Sequence, residues 1–424
     1  MNLLIAGLVL ADQMILDIDN NKYTEFKPMM VLHASSKTTN ILKTTKLNQF
    51  QFNEEDIVHT LDDAPEITPI KFTTFDDRVV PDYTDKDTIV GMAKMSWKAY
   101  YEPKNASELG WGWASPGLRG YIFVPSWLET NDDFEDLPIF EDVKDIVISV
   151  KGTSFSLVGG GDEQDIDKRN DNLLFSCCCA HVDASWRDIC NCVVESNVCN
   201  ETCIHREVMG CSSSGCSCPL GTCTRSYYDS AFDILKIVKA KFPQARIHAT
   251  GHSLGGAMAT MMLHMIYADP TSNGRGGGAL TYEAPAQRLM LHRLGLLFPA
   301  PVFNFGNSAD PIFTGECNGK TSSCYFFGYA METMCHSGFV CEYITRTDGP
   351  PPRSLKLEDS DLGPNLGFTQ DTPFYSLDDV DVNWRLSITH HRIIPVIRKV
   401  LEVYPVPQCI QPTNCTDCES WQFQ

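Results

Sequence analysis

The chain has 424 residues, 43% of them hydrophobic, enough to bury a full core, and its length suits either two or three domains or one large domain with insertions. Its formal net charge is −20, from 54 acidic against 34 basic residues. That balance argues against a nucleic-acid partner, because phosphate binding needs a basic surface.

Residues 1–11 hold an apolar run before Asp12 that is too short to cross a bilayer. With Val9 and Ala11 at a small-residue cleavage site it reads as a signal peptide lacking the usual basic flank, or as a vestigial anchor. Residues 12–87 form an acidic, weakly patterned N-terminal region, with strands expected at 29–32 and 67–72 and no chemistry assigned. From 88 the pattern tightens into a domain expected to run to 405, followed by a Cys-containing tail over 406–424. A helix over 88–101 places Val90, Met92, Ala93 and Trp97 on one side, and Ile146-Val-Ile-Ser-Val150 is a short apolar strand ending at Lys151-Gly152-Thr153.

Residues 154–225 are Gly- and Cys-rich, lose regular periodicity and read as an insertion. Of the chain's 18 cysteines, 11 lie between Cys177 and Cys223. Cys190-x-Cys192, Cys216-x-Cys218 and Cys415-x-x-Cys418 are spacings that a zinc site uses. The 177–223 cluster nevertheless contains no paired Cys-x-x-Cys, so disulfides are the expectation and no metal or other cofactor is assigned. The sequons at Asn105, Asn200 and Asn414 point to the same oxidising, glycosylating route.

Tyr228, Ala231, Phe232, Leu235, Val238 and Phe242 form the stripe of an amphipathic helix that Pro243 stops. An alternating apolar strand then runs into Gly251-His252-Ser253-Leu254-Gly255, and a stretch free of Gly and Pro follows over 257–268. Strand, sharp turn and helix around a serine make a nucleophile elbow, where side chains in place of the glycines would strike the neighbouring strand or helix. A small-residue contact between a strand and a helix is the alternative. Gly274-Arg-Gly-Gly-Gly278 reads as a flexible loop, 279–283 as a strand, 287–296 as a helix and 301–305 as a strand. This alternation predicts an α/β fold with a mostly parallel sheet, helices on both faces, and a disulfide-rich insertion.

A serine hydroxyl needs a histidine base, and that base needs an acid to fix its tautomer. The elbow architecture supplies them in the order Ser, Asp or Glu, His. Beyond Ser253 and the next two strands lie His336, His390 and His391. His336 falls between Cys335 and Cys341, whereas His390 and His391 open a helix expected over 393–404. For the acid, Asp310 sits in a turn after a strand and before Pro311, with Glu283 as its rival; an Asp-Pro turn residue is the plainer reading of Asp310. The oxyanion needs two donors. Leu254 N–H is one, and Thr153, after Gly152, is the expected second.

These residues resemble the class 3 (fungal-type) lipases of the α/β-hydrolase fold. Gly117-Leu-Arg-Gly120, Asp171-Asn-Leu-Leu-Phe-Ser-Cys-Cys-Cys179, Tyr282-Glu-Ala-Pro285, Phe305-Gly-Asn-Ser-Ala-Asp310-Pro311, His391-Arg-Ile-Ile-Pro-Val-Ile397 and Asp417-Cys-Glu-Ser-Trp-Gln-Phe423 are similar to the autophagic-body lipase family over about residues 88–424. The resemblance implies a glycosylated phospholipase and triacylglycerol lipase of the vacuole or lysosome lumen, reached through multivesicular bodies. Its partners would be membrane phospholipids, neutral lipids and the vesicle surface, and its role the disintegration of autophagic bodies and intravacuolar vesicles. It also implies Ser253 as nucleophile, Asp310 as acid and His391 as base, the residues after His391 favouring it over His390. Two departures are the vestigial N-terminal anchor and Ala286 where the family tends to have glycine. By fungal-lipase pattern, part of 154–225 is expected to cover Ser253. The competing readings are an esterase of soluble esters and an inactive luminal membrane-binding homologue.

Overall fold

The computed structural model describes residues 67–103, 109–113, 117–128, 138–154, 162–178, 190, 192–194, 198–209, 226–272, 274–317, 324, 328–346 and 385–418, with the backbone of 23–24 and 26–31. Along the chain, Tyr23–Thr24 (β1) and Phe26–Val31 (β2) precede a hairpin, Ile70–Phe75 (β3) and Arg78–Pro81 (β4). Helix Lys86–Lys98 (α1) starts at Asp85, whose carboxylate accepts from Thr88 N–H at 2.9 Å and from Lys71 Nζ at 2.8 Å. Leu109–Trp111 (β5), Gly120–Pro125 (β6) and Asp145–Val150 (β7) come next. They lead to helix Asp162–Phe175 (α2), the small ladder Val193–Val194 (β8) with Val198–Cys199 (β9), and helix Glu201–Met209 (α3).

The second half alternates more regularly. Helix Tyr227–Lys241 (α4), capped by Ser226, leads to Arg246–His252 (β10), Leu254–Ala268 (α5) and Gly276–Tyr282 (β11). Arg288–Arg293 (α6), Val302–Asn307 (β12), Pro311–Thr314 (α7) and Phe339–Tyr343 (β13) follow. The C-terminal part holds Ile393–Val396 (α8), continued by a π turn over Ile397–Leu401, and Cys409–Ile410 (β14).

One large sheet has the order β14-β13-β12-β11-β10-β7-β6-β2-β5. Its centre, from β7 through β10, β11 and β12 to β13, is parallel, while β14 and β6 pair antiparallel to it at the flanks. Both faces are covered, as the strand–helix alternation predicts. On one side Ile146, Ile148, Val150, Ile247, Ala249 and Ala279 pack under α4 and α5, where Met258, Met261 and Met262 are fully buried. On the other, Val147, Leu280, Tyr282, Phe303 and Phe305 meet α1 and α8. Each such large apolar side chain contributes about 1.5–3 kcal/mol by leaving water. Three buried hydroxyls fix α1 to the second face by donating to its carbonyls: Tyr282 to Ile89 O at 2.6 Å, Thr250 to Met92 O at 3.2 Å and Ser149 to Met95 O at 2.9 Å.

The structure corrects three sequence expectations. The domain does not begin at 88: β2 joins the large sheet, and the β3–β4 hairpin buries Ile70, Phe72 and Val80 in the core that holds Phe303. The strands expected at 29–32 and 67–72 are there as β2 and β3, and it is their partners in the fold that place them in the domain. Residues 154–225 are not wholly irregular, because α2 and α3 bury Leu173, Leu174, Phe175, Ile204 and Val208 in the main core. The glycine run after Gly274 is not all loop, since β11 already starts at Gly276.

Six disulfides join pairs of described residues: Cys177–Cys418, Cys178–Cys199, Cys192–Cys203, Cys317–Cys324, Cys335–Cys415 and Cys341–Cys409. Three of them tie the C-terminal tail to the domain, and β14 extends its sheet. No helix among the described residues is long and apolar enough to cross a membrane. The expected signal peptide or anchor, the sequon at Asn105 and the cover expected from 155–161, 179–189 and 210–225 lie outside the described residues.

Candidate active site

Strand β10 delivers Ser253 at its carboxyl end, and α5 begins one residue later. Ser253 has φ 59° and ψ −134°, a conformation that costs about 1–3 kcal/mol and that the packed strand and helix hold in place. A Cβ at Gly255 would strike the Val150 carbonyl oxygen, so the next helix residue but one must be glycine. Leu254 is the first residue of α5, where backbone N–H groups have no intrahelical acceptor and the helix dipole is positive.

Strand β12 delivers Asp310 in the same way. Its Oδ1 accepts from Ile312 N–H at 2.9 Å, and Pro311 occupies the first turn of α7, so Asp310 is the helix cap that an Asp-Pro pair suggests. Its other oxygen, Oδ2, lies 2.7 Å from His391 Nδ1, and His391 Nε2 lies 2.7 Å from Ser253 Oγ. The three groups therefore form one hydrogen-bonded line, with Nδ1–H donating to the carboxylate and Oγ–H donating to Nε2. Burial alone would push the Asp310 carboxyl up, but the His391 ring beside it brings it below the usual carboxylate range.

The other candidates fall elsewhere. His336 is buried with Nε2 2.9 Å from Phe313 O. His390 contributes its backbone carbonyl, which accepts from Asn307 Nδ2 at 3.1 Å. Glu283, the rival acid, ends its strand fully buried against Asn307 and Asp310, and the imidazole pairs with Asp310 instead.

Thr153 stands across from this line in the turn after β7. Its hydroxyl donates to Asp171 Oδ2 at 2.6 Å, and Ser154 N–H donates to Asp167 Oδ2 at 2.8 Å. Lys151 Nζ closes the turn from within, 3.0 Å from Gly152 O and 3.7 Å from Asp167 Oδ2, while Tyr227 donates its hydroxyl to Asp167 Oδ1. Asp167 and Asp171 come from α2, whose buried face is polar. Burial, with Asp167 nearby, holds the Asp171 carboxyl well above the usual range despite the Thr153 bond.

Two braces escaped the sequence reading. His252, inside the elbow motif, has Nε2 2.6 Å from the His391 carbonyl oxygen and Nδ1 2.6 Å from Tyr100 Oη, so Nε2–H donates to the His391 carbonyl and Tyr100 donates to Nδ1. Burial lowers His252 to about 3, which keeps this ring neutral. A Cβ at Gly152 would strike Tyr100 Oη, so the same tyrosine also abuts the Thr153 turn. Asn307 is the second brace, linking Glu283 to the His390 carbonyl. The histidine was visible in the motif, but its partners are 139 and 152 residues away and carry no local signal.

The exposed sequon residues Asn200 and Asn414 have room for a glycan.

Comparison with known proteins bears on the same elements. The family profile described as Lipase (class 3) matches residues 188–287, which include the elbow. The protein named "Putative lipase ATG15" of Yarrowia lipolytica is 34% identical, over 93% of this chain and 64% of its own length. Its namesake in Saccharomyces cerevisiae is 34% identical over 82% and 58%, and that of Pichia angusta 31% identical over 96% and 67%. The chain thus spans from somewhat over half to two-thirds of the length of these relatives. A solved lipase from Rhizopus microsporus var. chinensis covers 54% of this chain, with 57% of its own chain matched, at 14% identity and a TM-score of 0.26, a likeness too slight to argue from. With an elbow serine facing the histidine and aspartate that follow it in the chain, and relatives similar over most of its length, this chain belongs to the class 3 lipase family, in the group named ATG15.

Proposed function

We propose that the chain is a serine-dependent lipase and phospholipase that cleaves acyl esters of membrane phospholipids and triacylglycerol. The observation that carries this reading is the unbroken line Ser253–His391–Asp310, with both links at 2.7 Å, beside the N-terminus of α5. In the reaction Ser253 Oγ attacks the ester carbonyl as its proton passes to His391 Nε2, and Asp310 steadies the imidazolium. Leu254 and Thr153 N–H groups receive the negative charge that builds on the carbonyl oxygen. His391 then returns the proton to the departing alcohol, and water, activated by the same ring, releases the fatty acid and restores Ser253.

The membrane-lipid substrate, the luminal vacuolar or lysosomal setting and the disintegration of autophagic bodies follow from the family resemblance. The paired cysteines support an oxidising compartment. The test is purified protein and a Ser253→Ala control on phospholipid vesicles, a triacylglycerol emulsion and a soluble short-chain ester, from about pH 4 to about 8. Serine-dependent turnover of vesicles and emulsion is expected. Turnover of the soluble ester alone would make it an esterase, and failure of the wild type to react with a fluorophosphonate probe would make it an inactive homologue.

A further inference from the structure

Glu283 has no part in the mechanism above, yet the fold sets it apart. It is fully buried, and its φ of +48° is a left-handed conformation disfavoured for any residue with a Cβ. Such outliers persist where the surroundings over-determine them, and here they do. Glu283 N–H donates to Phe305 O at 2.8 Å, Asn307 Nδ2 donates to Oε1 at 2.8 Å, and Asn307 N–H lies 3.1 Å from both carboxyl oxygens. Asn307 thereby sets the carboxyl beside Asp310, within hydrogen-bonding reach of it.

Two buried carboxyls in hydrogen-bond contact keep one proton between them, because the second charge would be both desolvated and repelled. The groups around them decide which oxygen carries it. Asp310 takes the N–H of Ile312 and the Nδ1–H of His391, and its charge is also felt by His252 at the end of β10 and by His390. Among the described residues the titratable neighbour that acts most on Glu283 is Asp310. Burial, then the Asp310 charge, holds the Glu283 carboxyl well above its usual range, which agrees with a neutral Glu283 beside an ionised Asp310.

We propose that Glu283 is a positioning residue of the triad: a neutral carboxylic acid whose O–H donates to Asp310, spreads that carboxylate's charge, and so leaves His391 unprotonated at a more acidic pH than an unshared Asp–His pair allows. The inference rests on the triad assigned above. It gives a base that works in an acidic compartment without moving any atom of the nucleophile.

The experiment follows kcat/KM against pH on p-nitrophenyl butyrate for wild type, Glu283→Gln and Glu283→Gly. The acid limb of that profile reports the histidine of the free enzyme. Glutamine keeps an N–H donor for Asp310 and an acceptor for Asn307, and glycine suits φ +48° while removing the donor. The expected result is an unmoved limb in Glu283→Gln and a limb about one pH unit higher in Glu283→Gly. A limb that moves down in Glu283→Gln would mean that Glu283 is ionised and would overturn the proposal, as would an unmoved limb in Glu283→Gly or equal upward shifts in both.

An infrared difference spectrum of wild type minus Glu283→Gln near neutral pH does not depend on the glycine variant folding. A protonated-carboxyl C=O band present only in wild type is expected, and its absence would sink the idea. Wild-type turnover that survives Ser253→Ala would instead count against the triad itself, so the two failures are told apart.

Discussion

On one wall of the site, Asp310 and His391 are placed by backbone: parallel strands in fixed register, a helix cap, and carbonyl contacts from Asn307 and His252. On the opposite wall, residues 151–154 are held by buried polar side chains, with Asp167 and Asp171 of α2 bonding Ser154 and Thr153 and Lys151 beside Asp167. Ladder-built placement is indifferent to pH and salt, whereas a buried ionic cluster works only in one arrangement of protons. The strength of each wall therefore shows under a different perturbation.

The largest effect is expected on the first wall. Ser253→Ala or His391→Ala should lower kcat by about 10⁴–10⁶-fold with the fold intact, read as ester turnover alongside circular dichroism. A loss under a hundredfold would mean that another nucleophile acts. On the second wall, Asp171→Ala frees the Thr153 turn and should lower kcat by about 10²-fold with little change in KM, the signature of a donor used mainly in the transition state. A rise in KM alone would reduce Thr153 to a binding contact. Tyr100→Phe touches both walls by removing the donor to His252 Nδ1, and about a tenfold fall in kcat is expected.

The smallest effect is a stability profile in which buried carboxyls, one on each wall, and buried histidines act with opposite sign. Glu283 and Asp171 have folded-state values above their unfolded ones, so their contribution is complete below about pH 4 and is lost as pH rises toward the folded values. His248, lowered by burial, His252, at about 3, and His264, at about 4, contribute fully above about 6.5 and lose it as pH falls. From about 4 to 6.5 the unfolded chain binds protons at these three histidines and at His390, which burial also lowers, while the native chain holds them at Glu283, Asp171 and Asp417, so stability rises. Above that only the carboxyl contribution changes, and stability falls by up to about 1.4 kcal/mol per pH unit per group. Calorimetry of Ser253→Ala across this range should find a maximum near 6.5; a continued rise toward pH 8 would mean that neither Glu283 nor Asp171 is neutral.

The same contrast explains what was legible in the sequence. Ser253, Asp310 and His391 lie on elements whose chemistry is local: a glycine-flanked turn, an Asp-Pro cap, and a histidine pair opening a helix. The chain order of the fold does the rest. Helix α2 was hidden because the usual signal is an apolar stripe, and Asp167, Asn170, Asp171 and Asn172 are buried instead against partners far along the chain, among them Ser154, Tyr227, Thr153 and Gly328. Strands β5 and β6 were missed for another reason: β5 is three residues with glycine in the middle, and β6 is a short apolar run between Gly120 and Pro125 whose place in the sheet is set by its partners. Glu283 was weighed as a rival acid, and nothing along the chain shows that it sits beside Asp310 as a companion.

The bridge from Cys177 to Cys418 has a topological consequence. It spans a sequence separation of 241 and encloses Ser253, Asp310 and His391. A single backbone cut anywhere between 178 and 417 leaves two fragments that still share a covalent bond, one holding Cys177 and the other Cys418. A clipped molecule should run as one band without reductant and as two with it. Where peptidases are present, a loop can be opened while Ser253, Asp310 and His391 remain parts of the same particle.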